Sequence, residues 1–230
     1  MNKTQSGFTL VEIAIVLVII GLLLGGVLKG QELINSAKVK SFVNDFKTVP
    51  LFIYGYQDKF RALPGDDKAA SSHVTPPTGV SLIGPAATTS TLGNGRIEGK
   101  FDSVTSTDES VAFWQQVRLA NLASGPTDFG DATKIAAALP TNADGGRLGI
   151  QSDAPITGMT GSYFVCSMGI QGKFAKQIDI TMDDGNTAAG SVRVLGTSTT
   201  TTNDVTTTVT TGVATTNIVD STTYTVCVAM

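Results

Sequence analysis

One carboxylate stands apart in this chain. Glu12 lies inside an apolar run, FTLVEIAIVLVIIGLLLGGVL, that extends from Phe8 to Leu28. An ionised group in hydrocarbon costs several kcal/mol on most scales, so it calls for a cationic partner. No Lys or Arg lies within the run. The cation available is a free α-amino group. If the chain were cut between Gly7 and Phe8, the new amine would sit one helical turn from Glu12, at the i,i+4 spacing; the amine of a neighbouring chain would serve equally.

Other chemistry-bearing residues are few. The two cysteines, Cys166 and Cys227, stand beside a single histidine, His73, so no Cys/His ligand set exists. In an oxidising compartment the cysteines are expected to pair, closing a loop of about 60 residues worth roughly 4 kcal/mol; two separate buried thiols are the other reading. Asp66, Asp67, Asp183 and Asp184, with Asp102, Asn94 and Asn186, supply the hard oxygens that calcium takes, but without the spacing of an EF-hand. Turn-forming and capping roles account for the same residues. His73 stands in a polar stretch before Pro76-Pro77 and reads as a solvated loop residue. There is no G-x-S-x-G and no Walker loop. No enzymatic activity and no cofactor beyond that calcium are expected.

The elements that position these residues follow from pattern. The 230-residue chain carries a net charge of −3, with 15% charged and 41% hydrophobic residues. That suits one compact domain plus an appended element. A pI near 5.1 gives no global attraction for nucleic acid. Arg96, Lys100, Arg118, Lys134, Arg147, Lys173, Lys176 and Arg193 are scattered rather than striped. The apolar run is about 21 residues, enough to cross a bilayer as a helix, and its polar leader is too short for an ordinary secretory signal. Gly21, Gly25, Gly26 and Gly30 interrupt it; they suit close helix approach, a loosening point or ordinary membrane-helix glycine.

From Gln31 to Arg61 the apolar residues Leu33, Ile34, Ala37, Phe42, Val43, Phe46, Val49, Phe52, Ile53, Tyr56 and Phe60 recur at spacings of three and four. Pro50 should kink this helix without ending it; Leu63-Pro64-Gly65-Asp66-Asp67 should stop it. Residues 64–105 read as loop. A capping box of Ser106 and Glu109 opens a helix that carries Trp114 as a core residue and ends at Gly125-Pro126. Strands are expected at 162–168, 177–182, 191–195 and 224–230. The segment 197–216 is Thr-rich and low in complexity.

The stretch Gly7-Phe8-Thr9-Leu10-Val11-Glu12, followed at once by the apolar run to Leu28, resembles the processing motif of type IV pilins and type II secretion pseudopilins. The resemblance implies cleavage after Gly7 by a prepilin peptidase and N-methylation of Phe8. It implies that Glu12 pairs with the Phe8 amine of an adjacent subunit and sets axial register. The implied fold is α+β: a long N-terminal helix, its hydrophobic half protruding, packed on a C-terminal antiparallel β-sheet in a lollipop shape. The regions would be a leader at 1–7, a transmembrane and filament-core helix at 8–28, its amphipathic continuation at 29–62, and an extracytoplasmic domain at 63–230.

The implied partners are other pilin subunits, the prepilin peptidase, an inner-membrane assembly platform and, before assembly, the membrane. The implied location is a single-pass inner-membrane precursor with a periplasmic domain, then an extracellular pilus or a periplasmic pseudopilus. A pilus subunit, major or minor, is the leading expectation; a secretion pseudopilin, or an adhesin or DNA-uptake subunit, is the alternative. A weaker similarity spans Leu63-Pro64-Gly65-Asp66-Asp67, Gly93-Asn94-Gly95-Arg96-Ile97, Phe113-Trp114, Asp183-Asp184-Gly185 and Gly190-Ser191-Val192-Arg193. It is to prepilin-type proteins of Gram-negative bacteria and implies no particular activity.

Overall fold

The computed structural model describes residues 10–85, 92–196 and 212–230. The leader, the Gly7–Phe8 junction and residues 197–211 of the Thr-rich segment lie outside the described residues. The chain divides into two units, Met1–Lys40 and Ser41–Met230. Helix α1 (Leu10–Phe60) supplies the described part of the first and continues into the second. Its 51 residues correspond to about 76 Å at 1.5 Å per residue.

Pro50 lies within α1 without ending it, as the continuing stripe requires. In the second unit Phe42, Phe46, Val49, Ile53 and Tyr56 are buried, at alternating steps of four and three. Leu33 and Ile34, which share the same spacing, are exposed. The packed stripe therefore begins later than periodicity alone suggests. Arg61, with φ +57°, ends the helix; its amide donates to the Gln57 carbonyl.

Four antiparallel strands form one sheet in the order β1 (Leu148–Gln151), β2 (Phe164–Gln171), β4 (Thr223–Ala229), β3 (Val192–Gly196). Register places Cys166 opposite Cys227 and Val165 opposite Val228. The period of two then sorts the side chains. Ile150, Val165, Val192, Val194, Val226 and Val228 share one face, and all are buried. Phe164, Cys166, Leu195 and Cys227 share the other, in a cluster with Phe101, Ile156 and Met159. Cys166 and Cys227 form a disulfide. A sheet buried on both faces needs cover on both. In β1, Gly149 has no room for a side chain, because a Cβ there would overlap the Phe101 carbonyl.

Three expectations are corrected. Residues 177–182 are not a strand but the second half of helix α5 (Gly172–Met182). Ile178 and Ile180 alternate with polar neighbours, which reads as period two. Yet Phe174, Ala175 and Ile178 form the buried stripe while Ile180 is exposed, as a helix demands. Helix α3 (Glu109–Leu119) has Asp108 rather than Ser106 at its N-cap. It stops before Gly125-Pro126, in a Schellman arrangement: Asn121 takes φ +61°, and the Asn121 and Leu122 amides donate to the Arg118 and Val117 carbonyls. The long stretch read as loop contains a single turn of helix, α2 (Ala70–His73). Helix α4 (Ala132–Ala138) and strand β1 were not anticipated. Trp114 is buried as expected, edge-on to Phe52 and Phe113.

Candidate functional site: an exposed apolar helix and the loops holding its continuation

Residues Leu10 to Leu28 of α1 are exposed throughout, including fourteen large hydrophobics from Leu10 at 85% to Leu28 at 67%. A helix apolar on all sides requires burial in lipid or among other helices. It is long and apolar enough to cross a membrane. Glu12 lies in its first turn, where the positive pole of the helix favours a carboxylate. A Cβ added to Gly21, Gly25, Gly26 or Gly30 would meet nothing within 4 Å. Packing among the described residues therefore does not require these glycines. An exposed Lys29–Glu32 ion pair follows the apolar stretch.

Within the second unit, two aspartates of the loop that follows α1 are engaged, Asp67 with α1 itself and Asp66 with a second loop. Asp67 accepts from the Tyr56 hydroxyl at 2.8 Å and lies 2.7 Å from His73 Nδ1. Burial, then the Asp67 carboxylate, pushes the Tyr56 hydroxyl well above its ordinary range. His73 also stacks on Phe60, with ring centroids 4.9 Å apart. It is thus a structural clamp on the end of α1, not the solvated loop residue expected. Its distance of six residues from Asp67, across a turn of helix, hid the pair.

Asp66 accepts from the amides of Gly93, Asn94 and Gly95. Gly93 and Gly95 adopt φ of +75° and +83°, the left-handed conformation that glycine permits at least cost. Gly65 is equally constrained: its φ is +90° and a Cβ would lie 2.5 Å from the Glu109 carbonyl oxygen. The Leu63-Pro64-Gly65-Asp66-Asp67 and Gly93-Asn94-Gly95 motifs are two halves of one cradle.

Glu109 is buried beside that cradle. Its Oε2 accepts from the Glu98 amide, while Oε1 has no hydrogen-bond partner. Burial first, then the charges of Asp66, Glu98 and Asp108, push its carboxyl from the ordinary 4.5 to about 7, against the pull of the Glu98 amide. The folded chain therefore binds this proton more tightly than the unfolded chain. The stabilisation is complete below pH 4.5 and is lost as pH rises to about 7. A Glu109→Gln variant should lose that slope and, at pH 8, melt above the parent by the equivalent of about 1–3 kcal/mol. Melts at pH 5 and pH 8 check this; an unchanged slope contradicts it.

Of the calcium candidates, Asp66 and Asp67 are engaged by the donors just described. Asp183 Oδ2 accepts from the Ser191 and Val192 amides, which hold its carboxyl below the usual range. Asp184 Oδ1 accepts from the Asn186 amide. The structure does not join the two pairs. Among the described residues it gathers Asp183 and Asp184 with Asp179, which sequence reading missed. Read as a helix, 172–182 would have placed Asp179 one turn before Asp183. A separate cleft of ≈ 210 Å³ is lined by Asp45, Phe52, Trp114, Arg118, Pro140 and Leu148, among others.

Residues 2–28 match the family model of the prokaryotic N-terminal methylation motif. No curated protein and no solved structure is detectably similar to the chain. The match covers the Gly7–Phe8 junction, Glu12 and the apolar run. Together with a long N-terminal helix and a C-terminal antiparallel sheet, it is consistent with the type IV pilin and pseudopilin family.

Proposed function

We infer that the chain is a pilin- or pseudopilin-like subunit with a membrane-anchored precursor, a reading supported by the N-terminal motif and the apolar helix. We propose that the chain is a structural subunit of a type IV pilus, cleaved after Gly7 and methylated on Phe8 by a prepilin peptidase. Its helix passes from the inner membrane into the filament core, with the second unit first periplasmic and then on the fibre. One observation carries this reading: the methylation motif leads into a helix whose residues Leu10 to Leu28 are all exposed among the described residues. The free space at Gly21, Gly25, Gly26 and Gly30 supports close packing against neighbouring helices. Other pilin subunits and the assembly platform are its partners, and its role is architectural rather than enzymatic.

The presence of Glu12 favours a subunit that joins the shaft. Fibres sheared from cells expressing the chain should contain it, and deleting the assembly platform should remove it from them. Retention in the periplasm, with a loss of protein secretion when the chain is deleted, would instead identify a secretion pseudopilin.

A further inference from the structure

Helix α5 ends in a concentration of negative charge. Asp179 lies in its last turn, Asp183 is its C-cap, and Asp184 follows; the last turn holds no basic residue. Three carboxylates thus gather at the negative pole of a helix, where cations are favoured and anions are not. One oxygen from each lies within 4.8 Å of those of the other two.

A second observation comes from Asp179 itself. Its side chain is 0% exposed, and neither carboxylate oxygen has a hydrogen-bond partner. A buried carboxylate without a donor, facing two more carboxylates, needs a positive charge. Asp183 and Asp184 are each oriented by backbone amides, and an ionised carboxylate offers about four lone-pair directions. Both retain capacity for a further ligand.

We propose that Asp179, Asp183 and Asp184 form a calcium site that fastens the end of α5 to the start of β3. The donors are all hard oxygens, which exclude a preference for zinc or copper. They sit on a helix end and an irregular loop, a setting suited to the flexible coordination of calcium rather than the strict octahedron of magnesium. The same loop is tied to the residues before β4: Thr215 Oγ1 donates to the Gly185 carbonyl, and Thr187 Oγ1 donates to the Val213 carbonyl. The ion would therefore secure both flanks of the Thr-rich segment. The site is independent of the assembly reading.

The test uses the full chain in detergent micelles, stripped with EDTA and then given CaCl2. Extracellular calcium modules bind at about 0.1–1 mM. At about 5 mM CaCl2 the melting midpoint should rise by roughly 3–6 °C. Asp179→Asn removes the buried charge, so it should melt in EDTA no lower than the parent and show no calcium response. Asp184→Asn, at an exposed position, should lose at least half of the shift. Absence of any shift in the parent overturns the proposal, as does a full shift in Asp184→Asn. A shift with MgCl2 as large as that with CaCl2 overturns the assignment to calcium.

Discussion

A Glu12→Ala variant should be cleaved and methylated like the parent yet enter filaments at least about tenfold less. The expectation follows from where the carboxylate is and what surrounds it. Glu12 lies in the first turn of α1, four residues after Phe8, and is followed by an uncovered apolar surface. Apolar surface alone does not choose one axial offset over another, because dispersion and burial are non-directional. A charge in a dry bundle does choose, since only a register that brings a cation within reach satisfies it. In the proposed filament that cation is the Phe8 amine of a neighbouring subunit. Losing the pair removes on the order of 1–3 kcal/mol from the correct register relative to its competitors, hence tenfold or more in incorporation. Glu12→Gln should fail similarly, because the shape is kept and the charge is not. Quantifying the chain in sheared fibres against its membrane pool checks both. Normal incorporation of either variant would remove the register role.

Replacing Cys166 and Cys227 together with serine should lower the melting midpoint by roughly 10 °C. The disulfide joins β2 to β4 at directly opposed positions and spans 61 residues of sequence. On the chain-entropy account, releasing a loop of that length costs about 4 kcal/mol. For a unit of this size each kcal/mol moves the midpoint by about 2–4 °C. Both positions are fully buried in the cluster with Phe101, Phe164 and Leu195, so the two hydroxyls add a desolvation cost. Reductant should reproduce the loop-entropy part of the drop in the parent and leave the variant unchanged. A variant that melts with the parent would show that the sheet and its cover already hold the C-terminal strand.

Sequence pattern exposed the parts of this molecule that repeat or stand in contrast. The apolar run, Glu12 within it and the stripe from Phe42 to Tyr56 are visible because period and polarity are local properties. Strands β2, β3 and β4 were legible for the same reason, and the two cysteines fell opposite one another. What was hidden depends on partners distant in sequence. Asp66 reaches amides 27 to 29 residues away. Glu109 turns back to the Glu98 amide rather than forming a capping box with Ser106. Helix α5 was lost because Ile178 and Ile180 satisfy a strand's alternation, while the decisive evidence, a buried Phe174 and an exposed Ile180, is tertiary. That one error also concealed Asp179. Strand β1 contains a glycine and only four residues, too little pattern to register.

The mass of the mature chain tests the central claim most directly. Co-expressed with a prepilin peptidase, the protein should be recovered beginning at Phe8, its mass raised over that of residues 8–230 by the net CH2 that one N-methylation adds. Recovery of a chain that still begins with Met1, or one cut at another peptide bond, would contradict the account.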